Sequence, residues 1–373
     1  MNTVSTLQRF GIGISLFFGY ALFAVAWKVG DFYVLSVHTF DNAQLADSTA
    51  WLNVAKLVTN FLLGIAVARV AAKYYFATVG NGFAIGLLFS AVGLAVMVNA
   101  SSDLMIMAGR AIVGLGGGLV LFCQSPLTAS IFSGKELNLM NGFNASAYNI
   151  GITAAITLSA TILALPAESM ELVTYVLIGL SLFLAALVFL SLNKVTASES
   201  GEVASFSSGL VEKFNWVFCL VFSGAIVFYT LSFTFIEPAN IMNLLYAGVV
   251  GNFAGIVLLN KFEIRKLAMT TTVLASLSAI PFVLAGSQVA AMALGFFLFA
   301  SLPAFISLAY IRENVNPSSL ALTFMLLWVG SDLLVTVMVK VFAAVPTSVG
   351  NMILLSLVAI YGAGTVFIAR KYK

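Results

Sequence analysis

Long apolar windows follow one another through almost the whole chain and limit its fold more than any other feature. A helix needs about 20 apolar residues to cross the hydrocarbon core of a bilayer. Such windows lie at residues 10–34, 50–71, 76–98, 104–132, 138–164, 170–193, 213–236, 239–259, 266–286, 288–311, 318–344 and 348–369. Transmembrane strands would be about ten residues long and alternate in polarity. The sequence therefore predicts an all-α membrane protein with about 12 transmembrane helices.

The composition agrees with a lipid environment and excludes several classes of function. Of the 373 residues, 61% are hydrophobic and 8% are charged, whereas soluble domains carry about 25% charged residues. The net charge of +3 comes from basic residues near span ends, so it does not indicate a nucleic-acid partner. Cys123 and Cys219 lie far apart in apolar stretches and provide neither a disulfide framework nor metal-ligand spacing. We expect a lipid bilayer as partner, and no cofactor, metal or nucleic acid.

The Lys and Arg residues predict the orientation of the spans. With a cytoplasmic N-terminus, most of them fall on the inner side, and the short outer connections carry none. The inner residues are Arg9, Arg69, Lys73, Lys135, Lys194, Lys213, Lys261, Arg265, Lys266, Arg312, Arg370, Lys371 and Lys373. We therefore expect both termini in the cytoplasm and the chain in the cytoplasmic (inner) membrane of a bacterium.

Residues 194–212 form the one connection with the character of a linker, since they are rich in Ser, Gly and Glu. This segment divides the chain into a predicted N-terminal six-helix bundle, residues 1–193, and a predicted C-terminal six-helix bundle, residues 213–373. The linker is expected on the cytoplasmic side.

The two halves share residues at identical spacing. Gly118, Leu121, Phe122, Pro126, Lys135 and Glu136 recur as Gly295, Leu298, Phe299, Pro303, Arg312 and Glu313. A shorter match pairs Asn60-Phe61 with Asn252-Phe253. Chance similarity among apolar stretches is the alternative, but prolines and basic–acidic pairs are rare in this chain. The matches therefore favour a duplicated six-helix unit.

This organisation resembles the major facilitator superfamily over essentially the whole chain. Gly64, Arg69 and Lys73 match three positions of the family's motif in the loop between helices 2 and 3. Ala68 stands where the family has an Asp that forms a salt bridge. The resemblance implies a gating role for Gly64, Arg69 and Lys73 in this cytoplasmic loop.

The fourth span carries a second likeness to that family. Arg110 and Gly114 match its Arg-x-x-x-Gly pattern, whereas the fifth span lacks the Gly-Pro motif associated with many antiporters. The resemblance implies two six-helix bundles related by a parallel repeat, in which helices 1, 4, 7 and 10 line a central cavity. It also implies secondary transport by alternating access.

Six charged residues lie within the predicted spans, namely Lys28, Asp31, Lys56, Arg110, Asp332 and Lys340. A charge at the bilayer centre costs about 2.5–3.5 kcal/mol on insertion scales, so such residues tend to face each other or a hydrated cavity. Lys28 and Asp31 share a helix face, where they could neutralise each other or bind a substrate or proton. Lys56 and Lys340 lie in the outer third of their spans, so we expect both to snorkel toward the headgroups.

These residues supply the candidate functional site. Arg110 presents a planar fork suited to a carboxylate or phosphate, although it could instead bond backbone carbonyls. Asp332 and Asp31 are the candidate proton-coupling acids, with a counter-ion role as the alternative for each. The candidate substrate-binding residues are Lys28, Arg110, Gln124, Asn144, Tyr148 and Tyr229. Interhelical hydrogen bonding is the alternative explanation for the last four.

The excess of bases over acids within the spans favours an anionic solute. The resulting hypothesis is a monomeric secondary transporter that moves a small solute, an organic anion, and is coupled to protons. Proton-driven multidrug efflux and a non-transporting membrane receptor are the alternatives. An enzyme is disfavoured, because the single His38 and the scattered acids form no reactive constellation.

Overall fold

The computed structural model describes residues 6–67, 72–158, 161, 164, 166–192, 206–236, 238–312 and 317–372, and the regular structure of these residues is helical. The long helices are α1 (Thr6–Ser36), α2 (Asn42–Val67), α3 (Ala72–Val98), α4 (Asp103–Ile131), α5 (Gly134–Thr157), α6 (Ala167–Leu192), α7 (Lys213–Phe235), α8 (Pro238–Leu259), α9 (Ile264–Ala285), α10 (Gln288–Tyr310), α11 (Pro317–Ala344) and α12 (Thr347–Lys371). A short helix, Phe206–Val211, precedes α7.

Among the described residues, 11 helices are long and apolar enough to cross a membrane, and α5 is the long helix outside that set. The 24 residues of α5 extend about 36 Å, enough to cross the hydrocarbon core. Its hydropathy is lower because it carries buried amides at Asn141, Asn144 and Asn149. It also ends at Thr157, before the predicted residue 164. The predicted all-α membrane fold is confirmed, and the chain is a multi-pass integral membrane protein.

The same helix contacts occur twice along the chain. In the first helix set, α1–α6, α1 packs on α5 and α6, α3 packs on α4 and α6, and α2 packs on α4. In the second helix set, α7–α12, α7 packs on α11 and α12, α9 packs on α10 and α12, and α8 packs on α10. Between the sets, α2 packs along α11 and α5 along α8. The bundle boundaries at residues 193 and 213 stay a prediction, and linker residues 194–205 lie outside the described residues.

Residues of the sequence repeat occupy equivalent places in α4 and α10. Gly118 lies against the backbone of α2, and Gly295 lies against the backbone of α8, so a Cβ at either position would collide with main-chain atoms. Pro126 and Pro303 both lie inside their helices. These glycines let each helix approach its neighbour at backbone distance, as is common in membrane helix packing.

The long helices alternate in direction, which places the start of α1 and the end of α12 at one end of the molecule. We call this the terminal end and the other the opposite end. At the terminal end, Tyr372 contacts Phe214 at the start of α7, with 5.2 Å between ring centroids. Arg312 pairs with Glu212 there and lies over the Phe214 ring at 4.1 Å. The cytoplasmic location of this end stays a prediction.

Candidate functional site

A cavity lies between the two helix sets, near the middle of the long helices. Its walls come from α1, α4 and α5 of the first set and from α7, α10 and α11 of the second. The cavity has a volume of about 50 Å³, enough for a few waters. Four of the predicted substrate-binding residues line it, namely Gln124, Asn144, Tyr148 and Tyr229. The structure brings these four side chains together, and their role in binding stays a prediction.

Several polar side chains of the cavity wall keep hydrogen-bonding atoms free. Asn144 Nδ2 donates to Thr128 Oγ1 at 2.7 Å, which leaves Asn144 Oδ1 without a partner among the described residues. Tyr310 Oη donates to Asn141 Oδ1 at 3.5 Å and leaves Asn141 Nδ2 free. Within the described part of the chain, the unpartnered atoms in this wall are Gln124 Nε2, Asn141 Nδ2, Asn144 Oδ1 and Trp328 Nε1. The sequence prediction did not include Asn141 and Trp328.

An aromatic layer, formed by Trp27, Tyr148 and Phe233, lies toward the opposite end of the cavity. The ring centroid of Trp27 lies 6.0 Å from that of Tyr148 and 5.9 Å from that of Phe233, and Tyr148 and Phe233 are 6.3 Å apart. Tyr20 stacks on Tyr148 at 5.6 Å from the cavity side. The layer joins α1 and α5 of the first set to α7 of the second, and Lys28, Asp31 and Arg110 lie beyond it.

Asp31 is shared by two bases on the far side of this layer. Arg110 Nη2 donates to Asp31 Oδ1, and Lys28 Nζ lies 3.3 Å from Oδ2. Arg110 also donates to the Trp27 carbonyl at 2.9 Å and to Ser48 Oγ at 3.0 Å. All three charged side chains are buried. The predicted Lys28–Asp31 contact is present, but neither Lys28 nor Arg110 is among the described residues that line the cavity.

Lys28 also connects the two helix sets. Its Nζ donates to the carbonyl of Phe233 in α7 at 2.9 Å and lies 5.1 Å from the centroid of the Phe32 ring. The ammonium therefore contacts Asp31 in its own helix and the backbone of the second set at once.

Lys56 and Asp332 form a buried ion pair between α2 and α11. Lys56 Nζ lies 2.6 Å from Asp332 Oδ1, with 4% and 1% of the two side chains exposed. Asn60 Nδ2 donates to Asp332 Oδ2 at 3.0 Å, and Lys56 donates to Asn53 Oδ1 at 3.1 Å. The ammonium also lies 4.6 Å from the centroid of the Trp27 ring. The expectation that Lys56 snorkels is wrong, because α2 turns this side chain toward α11, where Asp332 neutralises it.

Lys340 has a different environment from Lys56. Its Nζ lies 2.7 Å from Asp47 Oδ1 near the opposite end, and the two side chains are 58% and 52% exposed. The exposure agrees with the predicted snorkelling, while the contact adds a second ion pair between α11 and α2.

Two of the three predicted gating residues, Gly64 and Lys73, are among the residues that the structure describes. Gly64 lies in α2, where the side chain of Met325 from α11 occupies the space that a Cβ would need. Lys73 lies near the start of α3. Arg69 lies outside the described residues. The gating role of these three residues stays a prediction.

The interface between α5 and α8 corresponds to that between α2 and α11 but carries no ion pair at the matched positions. The match of Asn60 with Asn252 places Gly248 where the first half has Lys56. Gly248 faces the amide of Asn149 in α5, so a Cβ at this position would lie 3.0 Å from Asn149 Nδ2. The amides of Asn149 and Asn252 are fully buried. One interface is therefore ionic and its counterpart is neutral at this depth.

Neither a family model nor a curated protein sequence matches the chain. Solved structures do match it in fold. The E. coli fucose:proton symporter FucP is similar with a TM-score of 0.67 at 17% identity, covering 95% of this chain and 98% of that one. The human organic anion transporter MFSD10 is similar with a TM-score of 0.71 at 12% identity, covering 97% of this chain and 99% of that one. A bacterial homologue of the human lysosomal transporter Spinster is similar with a TM-score of 0.64 at 12% identity, covering 99% of this chain and 98% of that one. The chain therefore has the fold of the major facilitator superfamily.

Proposed function

We propose that this protein is a secondary active transporter that moves a small solute by alternating access, with proton binding at Asp332 as the coupling step. The observation that carries the proposal is the buried Lys56–Asp332 ion pair, which joins the two helix sets beside the cavity between them. Alternating access needs two halves that rock around a central site. A contact between the halves that a proton can weaken provides a means to control that motion.

The charged contacts between the sets lie toward the opposite end of the cavity. They include the Lys56–Asp332 pair and the bond from Lys28 to the Phe233 carbonyl. Opening a path from the cavity to the opposite end would require these contacts to separate. In the proposed cycle they hold that end closed until a proton or solute changes their balance.

Asp332 fits the role of proton carrier better than Asp31, the other candidate. Asp31 contacts both Arg110 and Lys28, and an Arg side chain keeps its charge in proteins. Asp332 contacts a single base, Lys56. Protonation of Asp332 would remove the Coulomb attraction between α2 and α11 and leave the Lys56 ammonium free to move toward water.

The solute class is open among small molecules at this level of the proposal. The buried charged group of Lys28, Lys56, Arg110, Asp31 and Asp332 has one base more than it has acids, and such an excess is the basis for the organic anion expected from the sequence. The structural neighbours include an organic anion transporter and a fucose:proton symporter. Proton-driven multidrug efflux and a receptor that binds without transport are the alternatives.

A test of the conformational cycle needs no knowledge of the solute. Spin labels at Trp51→Cys in α2 and Val341→Cys in α11 would report the distance between the sets near the opposite end, since both side chains are exposed. The buried native cysteines Cys123 and Cys219 serve as the unlabelled background. We expect acid to populate a longer distance, and Asp332→Asn to populate it already at neutral pH.

The matched control is Asp47→Asn, which removes an acid from the exposed pair on the same two helices and should leave the distances unchanged. A single distance that responds neither to pH nor to Asp332→Asn would overturn the proposed coupling. Purified protein in liposomes, with a pH gradient and a panel of labelled anions, cations and uncharged solutes, then tests flux directly. Binding without gradient-driven accumulation would assign the receptor function instead.

A further inference from the structure

We propose that the cavity takes an uncharged, hydroxylated solute with several hydrogen-bond acceptors and one apolar face, such as a cyclic polyol. This inference rests on the proposed transport function and names the substrate class of the same cavity. It differs from the organic anion that the count of charged residues in the sequence favours.

The cavity wall is polar without being charged. No Asp, Glu, Lys, Arg or His is among the described residues that line it. An anion placed there would lose its hydration without gaining an ionic partner, which is strongly unfavourable. An uncharged solute avoids this cost, because amide groups can replace the hydrogen bonds that its hydroxyl groups make with water.

Buried amides in this wall have free hydrogen-bonding atoms. Gln124, Asn141 and Asn144 are only 4%, 4% and 6% exposed. Gln124 Nε2 and Asn141 Nδ2 are donors without a partner among the described residues, and Asn144 Oδ1 is such an acceptor. The indole Nε1 of Trp328 adds a third unpartnered donor. A ligand that satisfies this set needs more acceptors than donors, and hydroxyl and ether oxygens supply them.

Two of these amides are held in place by neighbouring side chains. Thr128 accepts from Asn144 Nδ2 at 2.7 Å, and Tyr310 donates to Asn141 Oδ1. Thr128 donates its own hydroxyl to the Gln124 backbone carbonyl at 2.8 Å, so it accepts from Asn144 Nδ2 and leaves the Asn144 oxygen as the free atom. The wall therefore presents a preset pattern of one acceptor and several donors to a ligand.

Aromatic rings supply the apolar surface of the site. Tyr20 stacks on Tyr148 with 5.6 Å between centroids, and Tyr148 meets Tyr229 edge-on at 6.0 Å. Phe299 meets Tyr229 at 4.9 Å from the second set. Ring faces and edges of this kind pack well against the C–H face of a cyclic solute, which buries apolar area while its hydroxyl groups reach the amides.

The bases nearby are already occupied. Arg110 and Lys28 contact Asp31, and Lys56 contacts Asp332. None of these residues is among the described residues that line the cavity, and an anion would have to displace a buried carboxylate to pair with any of the three bases. The cavity in this structure has room for only a few waters, so the helix sets must move apart to admit the solute.

Matched pairs of solutes test the proposal on the full-length protein in nanodiscs. Galactose and galacturonate differ only in their terminal carbon, which is a hydroxymethyl group in the hexose and a carboxylate in the uronate. Glucose and glucuronate form a second pair of the same kind. Tryptophan fluorescence is the readout, in a background where the exposed Trp51 and Trp216 are replaced by Trp51→Phe and Trp216→Phe. Trp27 and Trp328 then remain as reporters beside the site.

We expect at least one hexose to bind about tenfold or more tightly than its uronate. Gln124→Leu and Asn144→Leu should each weaken that binding by about tenfold, the effect of one lost hydrogen bond in a buried site. Asn99→Leu replaces an exposed amide outside the cavity and should leave binding unchanged. Thermal unfolding of each variant establishes that it is folded.

Preferential binding of the uronates, or binding of neither member of any pair, would overturn the proposed substrate class. In that event, the spin-label distances separate the two proposals. If acid still shifts the distance between α2 and α11, the proposed coupling stands and only the solute class is wrong. If the distance is fixed as well, the proposed proton coupling fails too, and the flux assay in liposomes decides whether the protein transports.

Discussion

Lys56 of α2 and Asp332 of α11 place opposite charges 2.6 Å apart in the buried contact between the two helix sets. Each residue therefore lowers the free-energy cost of burying the other's charge in a region of low dielectric constant. A buried charge that loses its partner costs far more than the pair contributes when intact. This mutual dependence makes the pair testable through stability as well as through transport.

Single and double substitutions at this pair should differ in their effect on stability. Lys56→Met leaves Asp332 buried without its base, and we expect a loss of about 3–5 kcal/mol in the free energy of unfolding. The double variant Lys56→Met with Asp332→Leu removes both charges and should recover most of that loss. Thermal unfolding in detergent measures both. Equal destabilisation in the single and double variants would contradict a direct pairing.

The exposed pair of Lys340 with Asp47 should behave differently. Exposed ion pairs contribute about 0–1 kcal/mol, and these side chains are 58% and 52% exposed. Lys340→Met should therefore change the unfolding free energy by no more than about 1 kcal/mol. The same unfolding assay measures it, and a loss as large as that of Lys56→Met would contradict the assignment.

Arg110 should not tolerate replacement by lysine. Its guanidinium contacts Asp31, the Trp27 carbonyl and Ser48 at the same time, whereas an ammonium on a flexible stem cannot reproduce this fork. We expect Arg110→Lys to destabilise the protein more than Ser48→Ala does, because it loses more than one of these contacts. Ser48→Ala removes one bond to a charged group, worth about 1.5–3 kcal/mol. Comparable melting temperatures for Arg110→Lys and wild type would refute this interpretation.

Gly114 should be intolerant of even a methyl group. A Cβ at this position would meet the Leu52 carbonyl of α2, whereas a Cβ at Gly179 in α6 would meet no atom within 4 Å. We expect Gly114→Ala to lower the melting temperature. Gly179→Ala should be neutral or raise stability by about 0.5–1 kcal/mol, because alanine favours the helix. The two variants, compared in one unfolding experiment, separate packing from helix propensity.

Much of the fold follows from the sequence because the bilayer imposes it. Continuous apolar windows leave helices as the structure that satisfies the backbone in lipid, and the windows predicted the order and approximate bounds of the helices. The bound of α5 was less accurate, since its buried amides at Asn141, Asn144 and Asn149 interrupt the apolar signal. Gln124 and Tyr229 were predicted as site residues, and both line the cavity.

The environment of Lys56 was missed because position along a span gives depth but not direction. Depth alone suggested the headgroups. A signal was nevertheless present, since Thr49, Asn53, Lys56 and Asn60 recur at spacings of three and four residues, which places them on one face of α2. All four are buried. The pairing with Asp332 could not be inferred from this stripe, because it depends on how α2 and α11 pack.

The neutral environment of Gly248 makes the two repeat-related interfaces chemically different. Lys56 of α2 places an ammonium against Asp332 of α11, whereas Gly248, at the matched position of α8, has no side chain beside the amide of Asn149. In the proposed cycle, acid weakens the contact between α2 and α11, whereas Gly248 and Asn149 at the matched depth between α5 and α8 carry no ionisable group. In that cycle, the interface between α2 and α11 separates and closes again, and the interface between α5 and α8 stays in contact as the pivot of the motion.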